Sequence, residues 1–170
     1  GNIIDTSGSS GIYMTVQSSL RILGNTFNMG DFGPAKGHYT SYGFRIESSP
    51  SLVAANNKIY MSATNGQVVR AIVIAGVTSP STAPAMVYNN MVLNMGGTTE
   101  CTGVAVYGCS YLNIYFNNFL ITNSLGNASA YYHYAPPFSN SYIRLVSNNL
   151  INKGGGYAIN IPGANTGDLD

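Results

Sequence analysis

The chain has 170 residues, enough for one domain with a sizeable core, and its 45% apolar residues contrast with only 8% charged ones, far below the roughly 25% usual in soluble domains. Seven basic and six acidic residues leave a net charge of +1 without a phosphate-seeking patch, which excludes nucleic acid as the expected partner. Asn, Ser, Thr and Gly interrupt every apolar run before it nears the roughly 18 residues of a membrane helix, so no membrane insertion is expected and the polar surface must be built from amides and hydroxyls, with many tyrosines.

Two signatures alternate along the chain. Gly1-Asn2 is followed two residues later by Ile4, and Gly11-Ile12-Tyr13-Met14 then reads as an alternating strand led by a small residue. Gly24-Asn25 with Phe27 and Gly43-Phe44-Arg45-Ile46 repeat the pattern, as do Asn56-Asn57 with Ile59 and Ala71-Ile72-Val73-Ile74. Asn89-Asn90 with Val92 precedes Gly103-Val104-Ala105-Val106, and Asn117-Asn118 with Leu120 precedes a stretch around Tyr131 that fills the next slot. Asn148-Asn149 with Ile151 and Gly156-Tyr157-Ala158-Ile159 complete the series. Counted at the second residue of each pair, the gaps are 23, 32, 33, 28 and 31 residues. An irregular repeat of this length is the mark of a stacked architecture.

Each unit reads as strand, short turn, strand, Asn pair, strand and variable loop. Helix is disfavoured because the runs are short, rich in Val, Ile, Tyr and Thr, and bounded by Gly, Asn, Ser and Pro. Such units cannot bury their apolar faces alone, so they must stack, with equivalent strands pairing in parallel about 4.8 Å apart. Ile12, Phe44, Ile72 and Val104 are expected to face inward, and Tyr13, Arg45, Val73 and Ala105 outward. The Asn pairs mark the corner of each coil. A sharp bend there needs positive φ, which Asn and Gly tolerate best, and stacked amides can bond to the copies above and below. Asn25, Asn57, Asn90, Asn118 and Asn149 are the expected column. The strand before the corner does not keep one phase: Leu20 and Ile22 alternate one way, whereas Ile114 and Phe116 are shifted by one residue, as small bulges would produce.

Asparagine pairs at a corner with a Gly-led alternating strand further on resemble the right-handed parallel β-helix of the pectate-lyase-like superfamily. The resemblance runs from Asn2 to about Ile161 and implies an all-β, right-handed single-stranded parallel β-helix of about five to six coils, with residues 1–170 as a single domain. An isolated leading Gly is a common remnant of tag removal, so the chain reads as a segment of a longer protein; the neutral, amide- and tyrosine-rich surface composition suits a secreted or cell-surface protein, and the expected source is bacterial.

The resemblance implies polysaccharide chemistry on the outer face of the first sheet and its loops, by lyases that hold calcium with several Asp or by hydrolases that pair Asp carboxylates. This chain has only Asp5, Asp31, Glu47, Glu100, Asp168 and Asp170 as carboxylates. Arg45 and Glu47 share one strand face and read either as a sugar clamp with minimal acid–base capacity or as an ordinary exposed ion pair. His38 lies in the long loop before them, with Asp31, Lys36, Tyr39 and Tyr42, and completes the set Arg45, Glu47 and His38 from which catalysis would have to come. His133, among tyrosines, reads equally as site or packing. Tyr13, Tyr107, Tyr132 and Tyr131 fall on or near the outer first-sheet face, with Tyr134 and Pro136 beyond, and their rings offer stacking surfaces for pyranoses. Substrate contact is therefore expected from Tyr13, Tyr107, Tyr132 and Arg45.

Cys101 and Cys109 are separated by an extended stretch too long for a disulfide and read as buried small hydrophobes. No metal-ligand spacing, serine-nucleophile motif or phosphate-binding glycine loop is present, so no cofactor or metal is expected. Three functions remain open. The chain reads first as a carbohydrate-binding module, non-catalytic as it stands; second as a polysaccharide lyase or glycoside hydrolase; third as a stalk or adhesin segment. The third carries end-to-end self-association, or further coils in the parent protein.

Overall fold

The computed structural model describes residues 1–6, 9–30, 40–61, 68–93, 95–134 and 142–162. After β1 (Ile3–Thr6), three strands recur per coil: β2 (Ser10–Thr15), β3 (Arg21–Leu23) and β4 (Thr26–Met29); then β5 (Thr40–Glu47), β6 (Val53–Ala55) and β7 (Lys58–Met61). They continue as β8 (Val68–Ala75), β9 (Ala85–Tyr88) and β10 (Met91–Leu93), then β11 (Glu100–Tyr107), β12 (Leu112–Tyr115) and β13 (Asn118–Ile121). The series ends with β14 (Ser129–Tyr134), β15 (Ile143–Val146), β16 (Asn149–Asn152) and β17 (Tyr157–Asn160). No helix occurs among the described residues, and so none long and apolar enough to cross a membrane.

Every strand pair is parallel, and strands three apart in the chain are neighbours. The first sheet runs β2-β5-β8-β11-β14-β17, the second β3-β6-β9-β12-β15 and the third β1-β4-β7-β10-β13-β16. This is a β-solenoid. Its second sheet has five strands and hence four inter-strand steps, so the solenoid makes about four turns, slightly fewer than the five to six coils expected.

The core follows from register. Phe44, Ile72, Val104 and Tyr131 stack in one inward column, Ile22, Ala54, Val87 and Ile114 in a second, and Phe27, Ile59, Val92 and Phe119 in a third; all are buried. In the first sheet the alternation slips at one small residue per coil. Gly43 and Phe44 are consecutive and both buried, as are Ala71 and Ile72, and Gly103 and Val104. A Cβ on Gly43 would come within 2.6 Å of the Ala71 carbonyl oxygen and 2.7 Å of Ile59, closer than van der Waals contact allows, which is the physical reason for glycine there. Around Tyr131 the slot is filled by Ala130 as expected. In the last coil the small residue is Ala158, one before Ile159 of the Tyr131 column, and not Gly156, which precedes the strand at φ 79°.

The asparagine column is real, with a correction to its register. The backbone N and Nδ2 of Asn2 donate to Asn25 Oδ1 at 3.0 and 3.2 Å, and Asn25 does the same to Asn57 at 2.9 and 3.1 Å. Asn57 bonds to Asn90, Asn90 to Asn117, and Asn117 to Asn148 in the same manner. The column is thus Asn2, Asn25, Asn57, Asn90, Asn117 and Asn148. Asn118 and Asn149 are the next residues along, exposed at the starts of β13 and β16, where Asn149 Nδ2 donates to Asn118 Oδ1 at 2.6 Å. Positive φ belongs to the residue before each rung: Gly24, Asn56, Asn89, Phe116 and Ser147. Once the register is set at Asn117, Ile114 stands three residues before its rung as Ile22 does before Asn25, so the second-sheet phase is constant and no bulge is needed. For the same reason Phe119 and Leu150 turn inward, while Leu120 and Ile151 turn outward.

Cys101 and Cys109 are free and buried as expected. Burial pushes the Cys101 thiol up to about 12 and the Cys109 thiol up to about 11.

Candidate functional site

The outer face of the first sheet collects most of the polar chemistry of the described chain. Alternation after Phe44 turns Arg45 and Glu47 outward on β5, and register sets Tyr13 beside Arg45, with Thr15 beside Glu47. Arg45 and Glu47 form an ion pair, with Arg45 Nε 2.7 Å from Glu47 Oε1. Tyr13 donates its hydroxyl proton to Glu47 Oε2 at 2.8 Å, and Arg45 Nη1 donates to the Tyr42 hydroxyl at 2.7 Å. The guanidinium lies 5.1 Å from the centre of the Tyr42 ring and 5.8 Å from that of Tyr13, within cation–π range. Beside them a shallow hollow of about 350 Å³ is lined by Ser9, Ser10, Tyr13, Tyr42 and Arg45.

A second cluster sits on the next strands. Arg70 grips Glu100 with two parallel bonds, Nε to Oε1 at 2.6 Å and Nη2 to Oε2 at 2.8 Å, and Thr102 donates to Oε1 at 3.2 Å. The Arg70 guanidinium lies 5.7 Å from the centre of the Tyr107 ring, which is tilted against Tyr132 at 5.7 Å. For Tyr107 to approach Arg70, its ring must lean back across Ala105. That explains why Val73 and Ala105, outward by register, are only 1% and 0% exposed: they are the small floor beneath larger side chains. The result is a continuous pavement of rings and guanidinium groups.

The electrostatics are those of contact. Hydrogen bonds from Arg45 and then from Tyr13 hold the Glu47 carboxyl below its usual range, whereas a general acid needs a raised one. Tyr13 is raised by its bond to Glu47, and burial pushes Tyr107 up to about 12, so both hydroxyls stay protonated donors at neutral pH. Glu100 pairs through Val68 with Thr40, the start of the strand that Glu47 ends. Seven residues at about 3.3 Å each and two inter-strand steps of about 4.8 Å set the Glu47 and Glu100 backbones roughly 25 Å apart, too far for two glutamate side chains to bring their carboxyls within the roughly 5–9.5 Å of a glycosidase pair.

Of the expected site residues, Arg45, Glu47 and Tyr13 meet in one cluster, and Tyr107 and Tyr132 meet in the other. Tyr131 does not join them; it is fully buried in the core with His133 beside it, ring centres 6.2 Å apart. Burial raises the Tyr131 hydroxyl strongly. His38, with Asp31, Lys36, Tyr39 and Pro136, lies outside the described residues, as do Asp168 and Asp170. Tyr42, grouped with His38 in the sequence, joins the first cluster through Arg45; sequence reasoning missed the pairing of Arg70 with Glu100, which lie 30 residues apart in the chain and meet only through register. It also missed the rings of the second sheet, where Tyr88 stacks on Tyr115 and Tyr111 on Tyr142 at 5.0 and 4.8 Å; their recurrence at one-coil spacing was the available signal. Among the described residues no group of three or more His, Cys, Asp or Glu could hold a metal ion. In comparison with known proteins, the chain matches no family model, no curated protein and no solved structure.

Proposed function

We propose that this chain is a carbohydrate-directed module of a secreted or cell-surface protein, acting by contact, with the outer face of its first sheet as the contact surface. The sequence resemblance to the pectate-lyase-like β-helices, which act on polysaccharides at the outer face of their first sheet, supports this choice of face. The observation that carries the reading is the Tyr13 ring, 56% exposed yet held by its hydroxyl on Glu47, which Arg45 holds in turn. An exposed ring fixed in advance offers a flat apolar surface for the C–H face of a sugar at little further cost in side-chain entropy. The guanidinium and hydroxyl groups around it supply directional bonds.

A panel of neutral and uronic oligosaccharides, titrated calorimetrically, tests this. At least one member is expected to bind, and Tyr13→Ala and Tyr132→Ala each to weaken it about tenfold; silence across the panel removes the proposal. The same samples, followed for unsaturated ends and reducing sugar with and without calcium, are expected to show no turnover. Turnover abolished by Glu47→Gln would reinstate the lyase or hydrolase reading.

The stalk reading has its own support. Ile3, Met14, Val16 and Leu23 at one end of the described solenoid and Val146, Ile151, Tyr157 and Ile159 at the other are exposed apolar residues, a surface suited to further coils or a second copy. It predicts concentration-dependent association in sedimentation runs, reversed by Met14→Lys; a species that stays monomeric at millimolar concentration argues against self-stacking.

A further inference from the structure

The second sheet carries a hollow that the first-sheet reading does not use. Its outer face is built from two rows, Arg21, Val53, Met86, Asn113 and Arg144, and Leu23, Ala55, Tyr88, Tyr115 and Val146. At one end, Met86, Asn113, Tyr115, Phe116, Arg144 and Val146 enclose about 310 Å³, at the lower bound of small-molecule sites.

Phe116 is the anomaly of its corner, although Val16 and Tyr111 also hold bulky side chains at φ 55° elsewhere. It occupies the positive-φ corner, at 56°, that the other coils give to Gly24, Asn56, Asn89 and Ser147. A bulky side chain is disfavoured in that conformation, and this one is also 53% exposed. Its ring meets the edge of Tyr115 at 5.4 Å and 86°, while Tyr115 lies flat on Tyr88 at 3° and donates its hydroxyl to Met86 Sδ at 3.4 Å. Two aromatic planes therefore stand at right angles, fixed from behind. A backbone strained to display an unsheltered ring is the kind of outlier that marks a ligand site.

The lining specifies the ligand. Tyr115 and Phe116 present ring surface, Met86 and Val146 add apolar contact, and polar groups are few, Asn113 and Arg144 foremost, too few for the many hydroxyls of a sugar. Both rows contain only arginines as charged residues, and Arg144 makes no ion pair among the described residues. We infer that the Tyr115–Phe116–Arg144 corner of the second sheet binds a planar aromatic carboxylate. Its ring lies against Tyr115 with an edge toward Phe116, and its carboxylate takes the two-pronged bond of the Arg144 guanidinium.

Three probes separate the components: 4-hydroxycinnamate, its uncharged amide, and cyclohexanecarboxylate, which keeps the charge and loses the plane. Calorimetric titration is expected to give binding of 4-hydroxycinnamate at least tenfold tighter than of either analogue. Arg144→Gln should bring acid and amide to equal affinity. Phe116→Gly should weaken the acid at least fivefold while its unfolding midpoint stays at or above the parent's, since glycine relieves the positive φ. Tyr13→Ala, on the other sheet, should leave all three values unchanged. Equal affinity for acid and amide in the parent chain, indifference to Arg144→Gln, or no binding of any probe overturns the inference, and none of these outcomes bears on the first-sheet proposal.

Discussion

Asn90→Ala is expected to lower stability by about 3–5 kcal/mol in urea unfolding, whereas Asn118→Ala is expected to change it by less than about 0.5 kcal/mol. Asn90 is fully buried. Its Oδ1 takes the backbone N–H and the amide of Asn57, and its Nδ2 gives to the Ala54 carbonyl and to Asn117 Oδ1. Truncation strands donors and acceptors on both neighbouring coils where water cannot replace the lost partner, and an unmet buried group costs more than a bond contributes. Asn118 is exposed and its amide bonds to Asn149 at the surface, where water substitutes readily. The pair of variants tests the register itself. Equal losses at positions 90 and 118 would mean that the column runs through the second Asn of the Asn117-Asn118 pair, and a loss at 118 alone would invert the assignment.

The second large effect is alkaline unfolding. The thiols of Cys101 and Cys109 rise from about 9 to about 12 and about 11, and the Tyr107 hydroxyl from 10 to about 12, each chiefly through burial. Each of these folded-state values lies above its unfolded one, so the native chain holds more protons than the unfolded chain at high pH. The stabilisation is therefore fully present below about pH 9 and is lost as pH rises through the folded values. At about 1.4 kcal/mol per unit, the two thiols together remove on the order of 4 kcal/mol by about pH 10.5, a large share of the whole stability of many domains, and the half-buried Tyr107, screened by solvent, adds less. Urea midpoints at pH 7, 9 and 10.5 should fall steeply over the last interval, and the double variant Cys101→Ala, Cys109→Ala should flatten that fall by more than half. A midpoint that stays level to pH 10.5 contradicts the burial of these groups.

Coil architecture was legible in the chain because two independent periodicities, the asparagine pairs and the small-residue-led strands, advance together. The register of the last two corners was not, and the reason is physical. Where Gly24, Asn56 and Asn89 precede the rung, the positive-φ residue is one that favours the conformation. Where Phe116 and Ser147 precede it, the signal is absent, and an Asn pair offers two candidates of identical chemistry. The same slip produced the apparent change of phase at Ile114 and the misplacement of Leu120 and Ile151. A fixed spacing of three from the inward residue, as in Ile22 to Asn25, resolves it. Arg45 and Glu47 were readable as neighbours because period-two alternation sets them on one side of one strand. The bond from Arg70 to Glu100 spans two strands, and the slip at Gly43, Ala71 and Gly103 hides such pairings from any count along the chain.

The amide-to-amide bonds of the asparagine column share one sense: from Asn2 through Asn117 each rung gives its backbone N–H and an Nδ2 proton to the Oδ1 of the following rung, while Nδ2 of Asn57, Asn90 and Asn117 also gives to a backbone carbonyl of the preceding coil. The rung-to-rung bonds thus make a vector, like a row of bar magnets laid pole to pole, with an amide oxygen facing outward at Asn2 and N–H groups facing outward at Asn148, whose Nδ2 also gives to the Ile114 carbonyl. Anything that prolongs it must arrive in the matching orientation, so filaments grown from such units would be polar, and mirror-faced dimers would set oxygen against oxygen.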